Sequence, residues 1–185
     1  MEKTMFAILL GGVLLNNYAL SSFLGVSAMF GSSKDTKKAA IMGCAVTVVM
    51  VLAGAIAWPV EKFVLSAFGL GYLQTLVYVS IILAVSYLVG AVAKAAFKKP
   101  LGVWFPLIAL NSAVLGVVLT NAAEGYGFVQ AVVAALAAGL GFLLAMVVFS
   151  GVRSRIEEQY VPKAFRGLPV QLMAACIIAL ALYAF

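Results

Sequence analysis

The sequence has few charged residues and a large excess of apolar ones. Charged residues make up 10% of its 185 positions and hydrophobic residues 65%, and the mean hydropathy is +1.17. This leaves too little polar surface to coat a soluble globule, so the chain is predicted to be an integral membrane protein. At roughly 20 apolar residues per span, the length holds about six helices in one membrane domain, residues 1–185, and leaves no room for a soluble domain.

Cysteines and acids are also scarce. Cys44 and Cys176 lie inside apolar segments and have no C-x-x-C spacing, which argues against a disulfide framework and is typical of small buried residues. No acid lies clearly at the middle of an apolar run, so a carboxylate proton relay within this chain is disfavoured. Glu124, beside Gly125 and Gly127, is interpreted as a solvated loop acid rather than an ion-binding carboxylate.

Apolar runs bounded by charge, glycine or proline define the predicted spans. The six runs are Met5 to Phe30, Ala39 to Val60, Tyr72 to Ala93, Val103 to Thr120, Phe128 to Phe149 and Leu168 to Phe185. An even division gives two halves of three spans, about 1–98 and 99–185. Because the number of spans per half is odd, the halves have opposite orientations and form an inverted repeat, as in many transport proteins.

The basic residues fall mainly on one side of this arrangement. Ten of the twelve lie in the loops after the first, third and fifth spans: Lys34, Lys37, Lys38, Lys94, Lys98, Lys99, Arg153, Arg155, Lys163 and Arg166. The positive-inside rule assigns this side to the cytoplasm and places both termini outside. In so apolar a chain the net charge of +6 is better explained by such loops than by nucleic-acid binding, which we discard.

Two apolar segments contain residues that do not suit a plain lipid-facing helix. Leu14 to Gly31 carries two adjacent amides, three serines and two glycines, and Pro106 to Asn121 has a similar composition. Where backbone is loosened at membrane depth, its polar groups must be satisfied by protein or by a water-filled cavity. The first and fourth helices are therefore predicted to be interrupted and to meet near the middle of the membrane.

The polar residues of these segments are candidates for a functional role. Amides in hydrocarbon tend to face a bundle interior, so they form either a polar path or interhelical hydrogen bonds, and both interpretations stay open. Glycines there are either helix-break positions or close packing contacts. The candidate amides are Asn16, Asn17, Asn111 and Asn121, and the candidate break positions are Gly25, Gly31 and Gly116.

The same segments carry a resemblance to a known family. F-L-G-V-S-A-M-F-G-S-S-K (Phe23 to Lys34), P-L-I-A-L-N-S-A-V-L-G-V (Pro106 to Val117) and E-G-Y-G-F-V-Q (Glu124 to Gln130) resemble the RnfA/NqrE family, and the likeness covers nearly the whole chain. These proteins are membrane subunits of the Rnf complex and of the sodium-translocating NADH:quinone reductase. The resemblance implies a multi-pass subunit in the cytoplasmic membrane of a bacterium or archaeon, within a redox-driven pump for Na⁺ or H⁺.

The resemblance also implies partners and a cofactor. In the family, the subunit relays electrons together with a homologous sister subunit of opposite topology, and the two share a [2Fe-2S] cluster beside the other Rnf or Nqr subunits. Family members usually carry cysteine where this chain has Ser27 and Ser112. Serine is a harder ligand with a far higher pKa than cysteine, so the relay is expected to be impaired or lost. The pattern is compatible with natural loss, with an engineered replacement and with a sequence generated on this fold.

No nicotinamide, flavin or quinone motif accompanies these features. The chain is therefore not predicted to be an enzyme by itself, but one subunit of a ferredoxin:NAD⁺ or NADH:quinone oxidoreductase. Two alternatives remain. One is a small secondary transporter or channel that uses the same inverted repeat. The other is a cluster-free structural subunit in which Ser27 and Ser112 merely allow close helix packing.

Overall fold

The long apolar runs of the chain form its long helices. A computed structural model describes residues 9, 11–15, 17–18, 21–31, 35–97, 104–157 and 160–183. After a π-helical turn, Gly11–Leu15, the helices in chain order are α1 (Val26–Gly31), α2 (Thr36–Val60), α3 (Gln74–Phe97), α4 (Trp104–Ala109), α5 (Ser112–Ala123), α6 (Phe128–Arg155) and α7 (Leu168–Tyr183). α2 continues through a π-helical turn, Glu61–Leu65, and a short helical turn, Ser66–Phe68, while 3₁₀ turns at Gly71–Leu73 and Lys163–Phe165 precede α3 and α7.

The helical membrane class predicted from composition is confirmed for the described ranges, which contain helices and no strands. Within the described part of the chain, four helical segments are long and apolar enough to cross a bilayer, namely Thr36–Phe68, Gly71–Val92, Pro106–Ala123 and Phe128–Arg155, and Leu168–Ala181 is a shorter apolar helix. The first predicted span lies only partly within the described residues. A count of six and an inverted repeat stay predictions.

Several predicted ends are corrected by the structure. Helix α2 and its continuation run to Phe68 rather than ending at Val60, and α6 runs to Arg155 rather than Phe149. Lys94 likewise lies inside α3. Charge does not end α3 or α6 at the predicted residues, because basic side chains in a last turn interact favourably with the helix dipole and extend toward water.

The helices α2 and α6 form the most extensive pair in the molecule. A Cβ atom on Gly43 would lie 3.1 Å from the Leu143 backbone, and one on Gly139 would lie 2.5 Å from Thr47 Cγ2. Later positions on α2 thus meet earlier positions on α6, so the two helices are antiparallel. Small residues permit this close approach, and the Thr47 hydroxyl donates to the Gly139 carbonyl at 2.9 Å. We call this contact the α2–α6 seam.

The first segment of the chain packs on α6 as well. A Cβ on Gly12 would lie 2.9 Å from Ala137 Cβ. The Asn17 side chain is 3% exposed and donates to the Gly141 carbonyl at 2.7 Å. Five residues before α1, the Ser21 N–H donates to the Asn17 carbonyl at 2.7 Å. α6 therefore supports both α2 and the loosened segment that leads into α1.

The outward faces of several helices are apolar. Large exposed side chains include Leu76, Leu88 and Val92 on α3 and Ile177 and Leu180 on α7. Cys44 and Cys176, predicted to be buried, are exposed on α2 and α7. Sequence composition cannot separate a lipid-facing cysteine from a core cysteine, because both surroundings are apolar.

Each end of the bundle is marked by a hydrogen bond between residues far apart in the chain. At one end, Arg153 in the last turn of α6 donates to the Phe30 carbonyl at 3.1 Å, close to where α2 begins after Asp35. At the other end, the Trp58 indole N–H donates to the Tyr126 carbonyl at 2.8 Å. Lys37 and Lys38 at the start of α2 and Arg153 and Arg155 at the end of α6 therefore lie at the same end of the bundle.

Candidate functional site at the break junction

The fourth predicted span is interrupted at Asn111. Helix α4 ends at Ala109 and α5 begins at Ser112, with Asn111 in an extended conformation (φ −75°, ψ 113°) between them. The Asn111 Oδ1 atom accepts a hydrogen bond from the Ala113 N–H at 2.9 Å, which caps the N-terminus of α5. Asn111 thus divides the apolar run, and its side chain supplies the acceptor that the interrupted helical backbone no longer provides.

The first predicted span is interrupted ahead of α1. Non-helical backbone leads to Gly25, which has φ +77°, and α1 starts at the next residue. Phe23 also has positive φ, 53°, a conformation that a bulky side chain rarely adopts. Of the residues in this segment, Asn16 lies outside the described part of the chain.

The two interruptions meet. The Gly25 N–H donates to the Ser112 hydroxyl at 2.8 Å, although the residues are 87 positions apart. A Cβ atom on Gly25 would lie 2.6 Å from both Asn111 Oδ1 and Phe142 Cε2. Only glycine fits here, because the left-handed backbone and the crowded surroundings both exclude a side chain. We call Gly25, Asn111, Ser112 and Phe142 the break junction.

The break junction is rich in hydrogen-bond donors. The N-terminal ends of α1 and α5 both lie at it, and helix N-termini carry partial positive charge. Asn111 is 2% exposed, and its Nδ2 atom has no hydrogen-bond partner within the described residues. Such an arrangement favours a negatively polarised group placed against it.

The two serines predicted at the family's cysteine positions lie at the surface of this junction. Ser112 is part of it, and Ser27 is in the first turn of α1, two residues after Gly25. Both side chains are exposed in the isolated chain. The structure therefore brings the two motifs to one region, as the prediction of interrupted helices that meet requires.

The remaining candidates have local roles. Asn121 is 8% exposed, and its Nδ2 donates to the Ala131 carbonyl at 3.0 Å, between α5 and α6. Gly116 is inside the unbroken helix α5, where a Cβ would lie 2.6 Å from Leu24, and Gly31 is the last residue of α1, where a Cβ would lie 2.7 Å from Leu107. Gly116 does not interrupt α5, and the absent side chain makes room there for Leu24. Gly31 stays a candidate break position, because it is the last described residue of α1.

Three further residues of interest have weak or no sequence signals. In the sequence, Phe142 lies in an ordinary apolar run and Arg153 is one of several basic residues in a predicted loop. Glu61 directly follows the predicted end of a span. Each is identified by a contact between distant parts of the chain. The π-helical turn that starts at Glu61 has no simple sequence pattern, although such turns are frequent at functional sites.

The geometry defines a helical membrane protein whose two interrupted helices meet at a donor-rich junction. Residues 5–185 match the family model described as "Rnf-Nqr subunit, membrane protein". The chain belongs to this family of membrane subunits, and the resemblance stated from its motifs is confirmed.

Particular relatives match along nearly their whole length. The chain is 42% identical over 185 residues to the subunit designated A of the Na(+)-translocating ferredoxin:NAD(+) oxidoreductase complex of Acetobacterium woodii, covering 98% of this chain and 96% of the relative. It is 40% identical over 186 residues to the subunit of the same designation in the ion-translocating oxidoreductase complex of Syntrophotalea carbinolica, covering 99% and 96%. The corresponding protein of an Azoarcus species is 42% identical over 181 residues, covering 96% and 94%.

Proposed function

We propose that this chain is the RnfA component of an ion-translocating ferredoxin:NAD⁺ oxidoreductase complex of the Rnf type. The names and full-length coverage of its relatives support this assignment. In the complex it pairs with a homologous sister subunit of opposite topology. The chain acts with the other subunits and is not catalytic alone.

The observation that carries the pairing is the hydrogen bond from Gly25 to Ser112, which brings the two half-helices together. It leaves the hydroxyls of Ser27 and Ser112 on the surface of the isolated chain. Polar groups at membrane depth are costly unless protein covers them. A second subunit with its own interrupted helices would cover this surface and complete the site.

A [2Fe-2S] cluster, which the resemblance implies, does not fit the donors that this chain supplies. Such clusters are held by thiolates or, less often, by imidazoles. Both family positions offer serine oxygen, and the Ser112 oxygen already accepts the Gly25 N–H. The described residues contain no group of three or more His, Cys, Asp or Glu side chains suited to a metal ion, and Cys44 and Cys176 are on other helices.

The role proposed for this chain is therefore to hold the sister subunit and form part of the ion path, without ligating a cluster. The distribution of charge supports an orientation with the Arg153 end in the cytoplasm, both termini outside and the chain in the cytoplasmic membrane. The halves 1–98 and 99–185 would then form the inverted repeat, with one broken helix in each.

Iron and acid-labile sulfide content test this role in the chain purified with only its sister subunit. Leaving out the other subunits removes clusters that belong to them. We expect a stable pair with no stoichiometric iron. About two iron atoms per pair, with the EPR signal of a reduced cluster, would show that oxygen ligands retain the relay and would overturn the cluster-free role.

Reconstitution of the chain without its sister subunit distinguishes the alternative of an autonomous transporter. The chain reconstituted alone in liposomes should give no substrate-dependent flux, whereas the complete complex should move ions when supplied with reductant. Flux through the chain alone would favour the transporter. Failure to pair with the sister subunit in a well-folded preparation would contradict the proposed function.

A further inference from the structure

A cavity of about 340 Å³ opens at the end of the bundle opposite Arg153. It lies where the end of α2 meets α3, the end of α5 and the start of α6, and extends along α2 from Gly54 to Glu61. At 1.5 Å per helical residue these two positions are about 10 Å apart. The cavity is separate from the break junction, since none of that junction's residues lines it.

Glu61 provides the negative charge of this cavity. Its Oε2 atom accepts a hydrogen bond from the Tyr78 hydroxyl at 2.6 Å, and the Tyr78 oxygen accepts one from Gln74 Nε2 at 3.1 Å. Tyr78 is 1% exposed and holds the carboxylate in place. The other carboxylate oxygen, Oε1, has no hydrogen-bond or ionic partner among the described residues, and Glu61 lines the cavity.

A second oxygen is available in the wall. Asn121 uses its Nδ2 atom to bind the Ala131 carbonyl, and this bond fixes the amide. Its Oδ1 atom has no partner among the described residues, although the residue lines the cavity and is 8% exposed. This oxygen is not one of the fully buried unpartnered atoms of the described residues, so it is reachable from the cavity and can accept a ligand there.

The protein's own cation does not neutralise Glu61. Lys62 is the other charged residue of the wall, but its ammonium lies over the Trp58 ring, 5.0 Å from the centroid. It makes no salt bridge with Glu61 among the described contacts. Lys62 also occupies the aromatic face to which an organic ammonium would bind.

We propose that this cavity is a binding site for a hydrated monovalent inorganic cation such as Na⁺, with Glu61 as the charged ligand and Asn121 as a neutral oxygen ligand. Carboxylate and amide oxygens suit a hard cation. A single carboxylate favours a monovalent ion over Ca²⁺, whose sites draw on six to eight oxygens, commonly from several carboxylates. The inference deepens the proposed function by giving the ion path a defined site, and binding can be measured without the complex.

Equilibrium binding of ²²Na⁺ to the full chain in phosphatidylglycerol nanodiscs tests the site. We expect saturable binding of about one ion per chain and loss of at least about tenfold in affinity in Glu61→Gln, because the charge is removed while the side-chain shape is kept. Glu124→Gln is the matched control, since Glu124 is an exposed carboxylate near the same end that does not line the cavity. It should bind like the unaltered chain.

Lys62→Gln is expected to increase Na⁺ affinity, and an increase cannot be explained by a variant that fails to fold. Removing a like charge from the wall should raise Na⁺ affinity, and K⁺ should compete better than choline or Ca²⁺. Any of three outcomes would overturn the site. The first two are the absence of saturable binding and equal losses of affinity in Glu61→Gln and Glu124→Gln. The third is displacement of Na⁺ by choline or by phosphatidylethanolamine at a lower concentration than K⁺.

Failure of this site and failure of the proposed function are distinguishable. If the chain binds Na⁺ through Glu61 but the assembled complex moves no ion, the site stands and the proposed function falls. If the complex translocates ions and the chain shows no Glu61-dependent binding, the proposed function stands and the site falls.

Discussion

The α2–α6 seam and the break junction are both close contacts between helices, but they are built differently. At the seam, small residues bring continuous helices together, and the Thr47 hydroxyl donates to the Gly139 carbonyl. At the junction, two helices begin after a break, Asn111 keeps a buried donor without a partner among the described residues, and Ser112 remains exposed. The polar contact at the seam is thus satisfied within the chain. The junction instead presents an unpartnered donor and an exposed hydroxyl to which another molecule can bind.

The largest effect is expected from replacing Ser27 and Ser112 by cysteine. Ser27→Cys combined with Ser112→Cys should raise bound iron in the pair from near zero to about two atoms, because thiolates are the ligands that such clusters require. Iron and sulfide analysis with EPR measures the gain. Cysteine at Ser80 and Ser154, which are exposed on α3 and α6, is the matched control. Equal iron in both double variants would count against the junction as the former cluster position.

Gly25→Ala should be the most destabilising single change at the junction. The left-handed backbone and the clashes with Asn111 and Phe142 together should cost about 3 kcal/mol. Gly69→Ala has a similar positive φ, +64°, but open space around the new methyl group, so it isolates backbone strain of about 1 kcal/mol. Unfolding in mixed micelles measures both. Similar losses would show that the junction is not tightly packed.

A methyl group added at the α2–α6 seam should overpack the contact and lower the free energy of unfolding. Gly139→Ala would place a methyl group 2.5 Å from Thr47 Cγ2 and 3.0 Å from its Cα, and should cost about 2 kcal/mol. Gly151→Ala on the same helix meets nothing within 4 Å and should be neutral or stabilise by about 0.5 kcal/mol. If both variants unfold at the same midpoint, the helices are less closely packed than described.

The smallest expected effect is at the cap of α5. Asn111→Ala removes the acceptor for the Ala113 N–H and should cost about 1 kcal/mol. Asn111→Ser keeps a capping oxygen and removes the unpartnered Nδ2, so its unfolding free energy should stay within about 0.5 kcal/mol of the unaltered chain. Assembly with the sister subunit separates the two roles. A serine variant that is stable but pairs poorly would show that the amide donor serves the partner.

Local composition predicts the membrane helices and the existence of two breaks, because apolar length and clustered amides act over a few residues. It does not fix the break position. Gly116 is as conspicuous as Asn111 in the sequence, yet α5 passes through Gly116 without interruption because Leu24 needs its space. The cavity at Glu61 was not predictable either, since it requires the ends of α2 and α5 to meet.

The bond from Asn17 to Gly141 spans 124 residues and has a consequence for biogenesis. At 5 to 20 residues per second, the ribosome needs about 6 to 25 s to complete the stretch between them. During that interval the loosened first segment is already made, while the helix that supplies the Gly141 acceptor is incomplete. The nascent chain must therefore shelter this segment against the insertion machinery, so slowing synthesis ahead of α6 should increase its co-translational degradation.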